Sequence, residues 1–251
     1  MSSTKIIPLL KRNVGIKTNP PKIFGRISLD QKIHLVEHLA TMLKTEIPLK
    51  DALAVLENHV KRFRLKKFLA NAVQNLSAGE NFSSTLKNYP KIFDEVFVTL
   101  VSAGEKNDNL EIAFKELALF LQKEKQMKQI WRRAALRLKP ACFWKKDKKQ
   151  KEILALFWRA LSSLLKTGVS LPQAIDIAAR TSKNRLFHHL FFNFSEQIKK
   201  GATLGSLLEE HPKFFSATDR QMVWVAEKSN SLPEISSELA DLYEEELKQI
   251  T

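Results

Sequence analysis

The chain has 251 residues, more than one compact domain usually contains, and this length favours two units of about 100 residues each. Its low content of glycine (7) and proline (9) favours helices, and the single cysteine, Cys142, excludes an internal disulfide bond and a cysteine-based zinc site. Since no uncharged apolar run approaches the roughly 18 residues of a membrane-spanning helix and no signal peptide is visible, the sequence predicts a cytoplasmic protein.

The formal net charge of +14 is distributed unevenly along the chain. Residues 1–32 carry +6 and residues 123–151 carry +10, whereas residues 33–122 carry 0 and residues 152–251 carry −2. A nucleic-acid-binding domain is expected to have its positive charge on the folded body. Here the charge lies in an N-terminal arm and a connector, so nucleic acid is the disfavoured partner.

The sequence contains an internal repeat. Residues 39–126 match residues 161–248 without a gap, and roughly a quarter of the aligned positions are identical. One offset of 122 relates all the matched positions, including Gly79 and Gly201, Pro90 and Pro212, Phe93 and Phe215, Glu105 and Glu227, and Leu117 and Leu239. A constant offset over this length indicates a duplicated module.

Three helices are predicted in the first part of the first copy. Apolar residues recur at helical spacing over residues 35–43, and Asp30 can cap the start of this first helix. Pro48 suits the first turn of the second helix. The third helix is predicted over residues 65–76 and ends near Gly79, which can adopt the left-handed conformation of a helix cap.

Three more helices are predicted in the rest of the first copy. Ser83 or Ser84 can open a short fourth helix, which ends before the next proline. The fifth helix covers residues 95–103 and stops at Gly104, and the sixth begins near Leu110. The fold is therefore predicted to be all-α, with two tandem homologous antiparallel bundles of about six helices each.

Four segments follow from the repeat and the charge distribution. They are a basic N-terminal arm (residues 1–32), a first helical domain (33–126), a basic connector (127–152) and a second helical domain (153–251).

The repeated module resembles a known family through a pattern present in both copies. In the first copy its parts are Leu43-Lys44-Thr45 followed by Leu49, then Gly79, a helix from Phe82 to Leu86, Pro90, Phe93, Ala103-Gly104-Glu105 and Leu110. This pattern is similar to the F domain of type II secretion systems. Duplicated domains of this kind resemble the inner-membrane platform protein of type II secretion systems and its counterpart in type IV pilus assembly.

The resemblance implies a non-enzymatic platform or adaptor protein at the cytoplasmic face of the inner membrane. Its helical domains would dock the cytoplasmic assembly ATPase and other platform proteins, and it would form homo-oligomers. Catalysis would belong to the ATPase, and no cofactor is implied. The resemblance does not distinguish a pilus from a secretion system.

The sequence departs from the family pattern in two ways. Relatives usually have membrane-spanning helices after each domain, but residues 130–144 contain four basic residues that would be costly inside a bilayer. A soluble, degenerate family member is therefore one alternative. Asp108 and Asn230 replace a common loop glycine, and we expect both to keep its left-handed geometry. Glu46 replaces a glycine that the second copy keeps as Gly168, so an altered first turn is expected.

The polar residues of the loops after the fifth helices are the candidate partner-binding residues. They are Glu105 and Asp108 in the first copy, and Glu227 and Asn230 in the second. The glutamates either contact a partner or ion, or accept hydrogen bonds from backbone N–H groups at the start of the following helix. A metal site is not predicted, because His34 and His38 have the spacing of a zinc-binding pair but lack a third ligand.

The connector is the candidate surface for an anionic membrane. Its basic candidates are Lys128, Arg132, Arg133, Arg137, Lys145, Lys146, Lys148 and Lys149. Aromatic residues are interleaved with them, as is typical of segments that bind the headgroup region of anionic lipid. A solvated helix extension and a nucleic-acid-binding module are the alternatives. No phosphate-binding loop, nucleophile motif or paired-carboxylate pattern is present, so no catalytic residue is predicted.

Overall fold

The computed structural model describes residues 27–137, 142–181 and 184–249, with the backbone alone described for 131–137 and 142–147. Over these residues the chain forms twelve α-helices and no strand. The helices are α1 (Leu29–Lys44), α2 (Leu49–His59), α3 (Phe63–Ser77), α4 (Phe82–Lys87), α5 (Glu95–Lys106), α6 (Leu110–Arg137), α7 (Cys142–Lys166), α8 (Leu171–Ala179), α9 (Arg185–Lys199), α10 (Leu204–Glu209), α11 (Ala217–Ser229) and α12 (Leu232–Gln249). The all-α prediction is confirmed.

The two copies fold in the same way. Helices α2 to α6 of the first copy begin 122 residues before helices α8 to α12 of the second, in agreement with the offset of the sequence repeat. In each copy the first and last helices pack against each other in antiparallel orientation. Gln122 on α6 bonds Glu37 on α1, and nearer the N-terminus of α1 Lys125 pairs with Asp30. The prediction of about six helices per copy is confirmed.

Each bundle has an aromatic core. In the first copy the Phe68 ring lies 5.4 Å from Tyr89 and 4.8 Å from Phe93. In the second copy Phe191 stacks on Phe157 at 3.6 Å and lies 6.0 Å from Phe215. The chain after each repeated proline therefore enters the core through a phenylalanine, Phe93 or Phe215, which fixes the turn before α5 or α11.

Two predicted helix starts were wrong by one or two residues. The N-cap of α1 is Ser28, and its hydroxyl accepts a hydrogen bond from the backbone of Gln31, whose side chain accepts one in return. Asp30, the predicted cap, lies inside the first turn. Helix α4 begins at Phe82, before both predicted serines.

The predicted end of the fifth helix at Gly104 was also wrong, since α5 continues to Lys106. Gly104 is buried, and a Cβ atom there would lie 2.6 Å from the Cβ of Ala113. This glycine allows α5 to approach α6 closely and does not terminate the helix. A glycine inside a helical pattern often has such a packing role.

Left-handed residues recur at matched turns of the two copies. Asp108 has φ = 53° and Asn230 has φ = 55°, which confirms the geometry predicted for these loops. Glu46 has φ = 61° and Gly168 has φ = 84°. The expected alteration of the turn at Glu46 was therefore wrong, because the fold imposes the left-handed conformation even on a residue that disfavours it.

Replacing Glu46 with glycine is expected to stabilise the protein. A non-glycine residue in this conformation costs about 1–2 kcal/mol, whereas the greater freedom of glycine in the unfolded chain costs roughly 0.5–1 kcal/mol. We expect Glu46→Gly to raise the free energy of unfolding by up to about 1 kcal/mol, measured by urea denaturation. The control Glu57→Gly, inside α2, should lower it by about 1 kcal/mol. Equal losses from both variants would contradict this prediction.

Candidate interaction surfaces

Glu105 and Glu227 lie at equivalent positions in the two copies, in the last turns of α5 and α11. The predicted position in the following loops was wrong, because both helices continue past these residues. The carboxylate of Glu105 accepts hydrogen bonds from the backbone N–H of Phe82 at 2.6 Å and of Ser83 at 3.2 Å. The carboxylate of Glu227 accepts them from Leu204 at 2.5 Å and Gly205 at 2.9 Å. Each glutamate therefore caps the short helix α4 or α10, which precedes it in the chain.

These contacts provide hydrogen-bond acceptors and a negative charge at the N-termini of the short helices. The first N–H groups of a helix lack partners within it, and a negative charge is favourable at that end. Asn81, at the N-cap position of α4, makes no side-chain capping bond. Glu105, which belongs to α5, caps α4 in its place. The sequence suggested capping of the following helix instead. The pairing with a helix 22 or 23 residues earlier requires the three-dimensional fold.

Removal of either carboxylate should destabilise its own bundle. Glu105→Ala and Glu227→Ala each leave two part-buried N–H groups without a protein acceptor, and we expect a loss of about 1–3 kcal/mol in unfolding free energy. Glu105→Gln, which keeps an acceptor oxygen, should lose less. Urea denaturation checks these values, with the exposed Glu80→Ala as a control near zero. Losses no larger than that of Glu80→Ala would refute the capping role.

The two copies pack against each other through α5 and α6 of the first and α7, α8 and α12 of the second. The contacts are polar at several points: Asn107 donates to the carbonyl oxygen of Thr167 at 2.9 Å, Ser163 donates to Glu116 at 3.2 Å, Lys166 approaches Glu116 at 3.7 Å, and Arg180 pairs with Glu95 at 3.1 Å. Phe120 and Ile177 line a cleft of about 220 Å³ between the copies. The loop after α5 thus contacts the turn that follows α7 in the second copy.

A cluster of four charged side chains crosses this interface. Lys123 on α6 bonds Asp241 at 2.9 Å and Glu244 at 2.8 Å, and Arg159 on α7 bonds Glu244 at 3.0 Å and also Asp241. Arg159 and Glu244 are almost fully buried. The two positive and two negative charges compensate one another, which buried charges require.

The pKa values of the cluster reflect this compensation. Burial would lower the pKa of Lys123, but the hydrogen bonds to Glu244 and Asp241 outweigh burial and raise it. Burial would raise the pKa of Asp241, but hydrogen bonds from Lys123 and Arg159 outweigh it and lower that pKa. The charged forms of both groups are therefore favoured. The sequence alone does not indicate this cluster, because its members lie far apart in the chain.

A second buried polar cluster lies beside a cleft of about 300 Å³ in the second copy. One carboxylate oxygen of Asp219 accepts hydrogen bonds from the Tyr243 hydroxyl at 2.5 Å and the Ser216 N–H at 2.7 Å. The other oxygen is buried without a hydrogen bond. The first copy has Phe97 and Leu121 at the positions of Asp219 and Tyr243, so this cluster distinguishes the copies.

Burial raises the pKa of Asp219, and the bonds from Tyr243 and Ser216 offset this only in part. The native state therefore holds this proton more tightly than the unfolded chain does. The protonated Asp219 carboxyl therefore stabilises the native state fully below the ordinary pKa of 3.8, and this stabilisation is lost as pH rises through the pKa of the folded state.

The stability of the protein relative to Asp219→Asn should therefore fall as pH rises above the ordinary aspartate pKa of 3.8. Urea denaturation at a series of pH values measures this difference. Tyr243→Phe removes a donor to the carboxylate and should extend the loss to higher pH. A difference between protein and Asp219→Asn that does not change with pH would exclude this role for Asp219.

Comparison with known proteins identifies the family of the two bundles. The sequence profile described as "Type II secretion system (T2SS), protein F" matches residues 35–141 and 157–250, one segment for each copy. The chain belongs to the type II secretion system protein F family. The resemblance seen in the repeated sequence pattern is therefore confirmed.

Relatives in this family include proteins named for pilus assembly and for secretion. The chain is 25% identical to the type IV pilus assembly protein PilC of Thermus thermophilus over 324 positions, covering 97% of this chain and 76% of the relative. It is 21% identical to PilC of Myxococcus xanthus, covering 89% and 73%. It is 28% identical to the type II secretion system protein F of Vibrio cholerae over 94 residues, or 38% and 23%. Since 324 exceeds 251, the Thermus relative has residues inside the aligned region without counterparts here.

The connector of this family member is only partly described. Helix α6 continues into it as far as Arg137, and α7 begins within it at Cys142. Lys128 is exposed and pairs with Glu124, Lys149 is exposed, and Lys148 is buried. The side chains of the remaining candidates, Arg132, Arg133, Arg137, Lys145 and Lys146, lie outside the described residues.

Two features are absent from the described part of the chain. None of its helices combines the length and apolar character needed to cross a membrane. Within the same residues, no three His, Cys, Asp or Glu side chains are grouped so that they could hold a metal ion.

Proposed function

We propose that the chain is a non-enzymatic platform protein of a type IV pilus or type II secretion machine. Its two bundles would dock the cytoplasmic assembly ATPase and other platform proteins. The observation that carries this proposal is the tandem family match, together with two relatives named for type IV pilus assembly that align along 97% and 89% of the chain.

The loops after α5 and α11 are the proposed partner contacts. Asp108 and Asn230 are exposed at matched left-handed positions, and Glu105 and Glu227 cap α4 and α10. The carboxylates of both glutamates are occupied within the fold, whereas Asp108 and Asn230 are exposed and can meet a partner. Loops on a rigid scaffold are common binding sites.

The connector is proposed to bind the cytoplasmic face of an anionic membrane. Residues 123–151 carry a net charge of +10 next to two bundles of nearly neutral charge. Each basic residue close to an anionic lipid surface contributes on the order of 1 kcal/mol, and salt weakens this attraction. We also propose the boundaries 33–126 and 153–251 for the two family domains.

The ATPase contact can be tested with a variant that keeps the loop geometry. Asp108→Gly/Asn230→Gly removes both exposed side chains from left-handed positions that glycine accepts. We expect binding of the full chain to its cognate assembly ATPase, measured by pull-down and calorimetry, to weaken by about 10-fold or more. Glu46→Gly makes the same kind of change at a third left-handed position and should leave binding unchanged. Failure of the unaltered chain to bind the ATPase would refute the docking proposal.

The membrane contact has a separate test against nucleic acid. The chain should sediment with vesicles that contain anionic phosphatidylserine and remain in solution with neutral phosphatidylcholine vesicles, and the difference should fall as salt is raised. An electrophoretic shift assay at low salt examines the alternative. Binding to nucleic acid without binding to anionic vesicles would favour a nucleic-acid-binding module.

A further inference from the structure

The interface between the two copies uses a different face of each copy. The first copy contributes α5 and α6, and the second contributes mainly α7 and α8, which correspond to α1 and α2. Helix α12 adds Asp241 and Glu244, which bond Lys123 on α6. One equivalent of each face is consequently left over. The N-terminal open face lies on α1 and α2 of the first copy, and the C-terminal open face lies on α11 and α12 of the second.

Apolar residues that are buried at the internal interface have exposed counterparts on the open faces. On α8 Ile177 is 4% exposed, but its counterpart Val55 on α2 is 42% exposed. On α6 Phe120 is 3% exposed, but its counterpart Leu242 on α12 is 38% exposed. Phe120 and Ile177 line the same cleft between the copies. The open faces thus expose the apolar side chains of Val55 and Leu242, whereas the internal interface covers their counterparts, Ile177 and Phe120.

A third matched pair, on α5 and α11, is also buried in the first copy and exposed in the second. Ala103 on α5 is 8% exposed. It lies on the same face of α5 as Val96, which lines the cleft between the copies, and near Asn107, which bonds Thr167. Its counterpart Val225 on α11 is 52% exposed. The C-terminal open face therefore carries two exposed apolar side chains, Val225 and Leu242.

The polar pairing of the internal interface is also present on the open faces. Internally, Glu116 contacts Ser163 and Lys166. The matched residues are Glu238 on the C-terminal open face, and Thr41 and Lys44 on the N-terminal open face, all exposed. An acid on one face and a hydroxyl with a lysine on the other can form the same contacts between two chains.

We infer that the chain associates head to tail with a second copy of itself. The C-terminal open face of one chain, with Val225, Glu238 and Leu242, docks on the N-terminal open face of the next, with Thr41, Lys44 and Val55, as the first repeat docks on the second within the chain. Such a contact joins unlike faces, so it builds a ring or an open row of chains, unlike a twofold dimer. This inference goes beyond the proposed docking of an ATPase and does not depend on it.

Two matched positions oppose the association and limit its strength. The charged cluster of the internal interface contains Lys123 and Arg159, whose counterparts are Glu245 and Glu37. Two acids would approach each other where the internal interface places two bases between two acids. Association between chains is therefore weaker than packing within the chain, and Glu37→Arg should strengthen it.

Charge exchange tests the inference on the full chain by sedimentation velocity over a range of concentrations. The unaltered chain should show a mass that rises with concentration. Lys44→Glu and Glu238→Lys should each weaken association by about 10-fold, because like charges then face each other. The double variant Lys44→Glu/Glu238→Lys should restore it, and so should mixing the two single variants.

Three further measurements make the outcome decisive. Lys87→Glu, an exposed reversal on α4, is the matched control and should leave association unchanged. Thermal unfolding of every variant confirms that the bundles remain folded, and Glu37→Arg should tighten association by several-fold. A strictly monomeric chain up to its solubility limit overturns the inference. So does an oligomer whose association is the same in both single charge variants and in the unaltered chain. Because no ATPase is present, neither result bears on the docking proposal.

Discussion

The hydrogen bonds from the glutamate carboxylates to the starts of α4 and α10 are the contacts on which each bundle depends. A helix of six residues is too short to be stable alone, because the cost of nucleation is spread over few hydrogen bonds. Glu105 or Glu227 supplies the missing acceptors from the next long helix and fixes the position of the short one. Phe82 and Leu204, the first residues of the short helices, are thereby held in the core. This structural need explains why a glutamate recurs at the same place in both copies.

The charged cluster at the interface shows how two similar modules acquired different surfaces. Lys123 and Arg159 balance Asp241 and Glu244, so the buried charges are paired and hydrogen-bonded. In the first copy Glu37 occupies the position of Arg159, and it bonds Gln122. A single matched position thus carries a base where it is buried between copies and an acid where it remains near the surface. The two copies thus share one fold and differ in the charge at this matched position.

The sequence predicted features that repeat locally and missed those that depend on packing. Helix periodicity and the constant offset gave the correct helix number, and the left-handed turn at Asp108 followed from its side chain. The end predicted at Gly104 was wrong because a glycine can serve close packing as well as termination, and only the position of Ala113 separates these roles. The turn at Glu46 was misjudged because tertiary structure overrides local preference. Lys123 and Asp241 are 118 residues apart, and no local pattern indicates their contact.

The two proposed interactions meet at one end of the molecule. Asn230, in the loop proposed to contact the ATPase, directly follows α11, which carries Val225 of the C-terminal open face. A partner large enough to cover that loop would overlap a chain docked on α11 and α12. The matched Asp108 loop already lies beside the internal interface, where Asn107 bonds Thr167. If both proposals hold, ATPase docking at Asn230 and head-to-tail association compete for the second copy, and the terminal chain of a row is the one whose loop stays accessible.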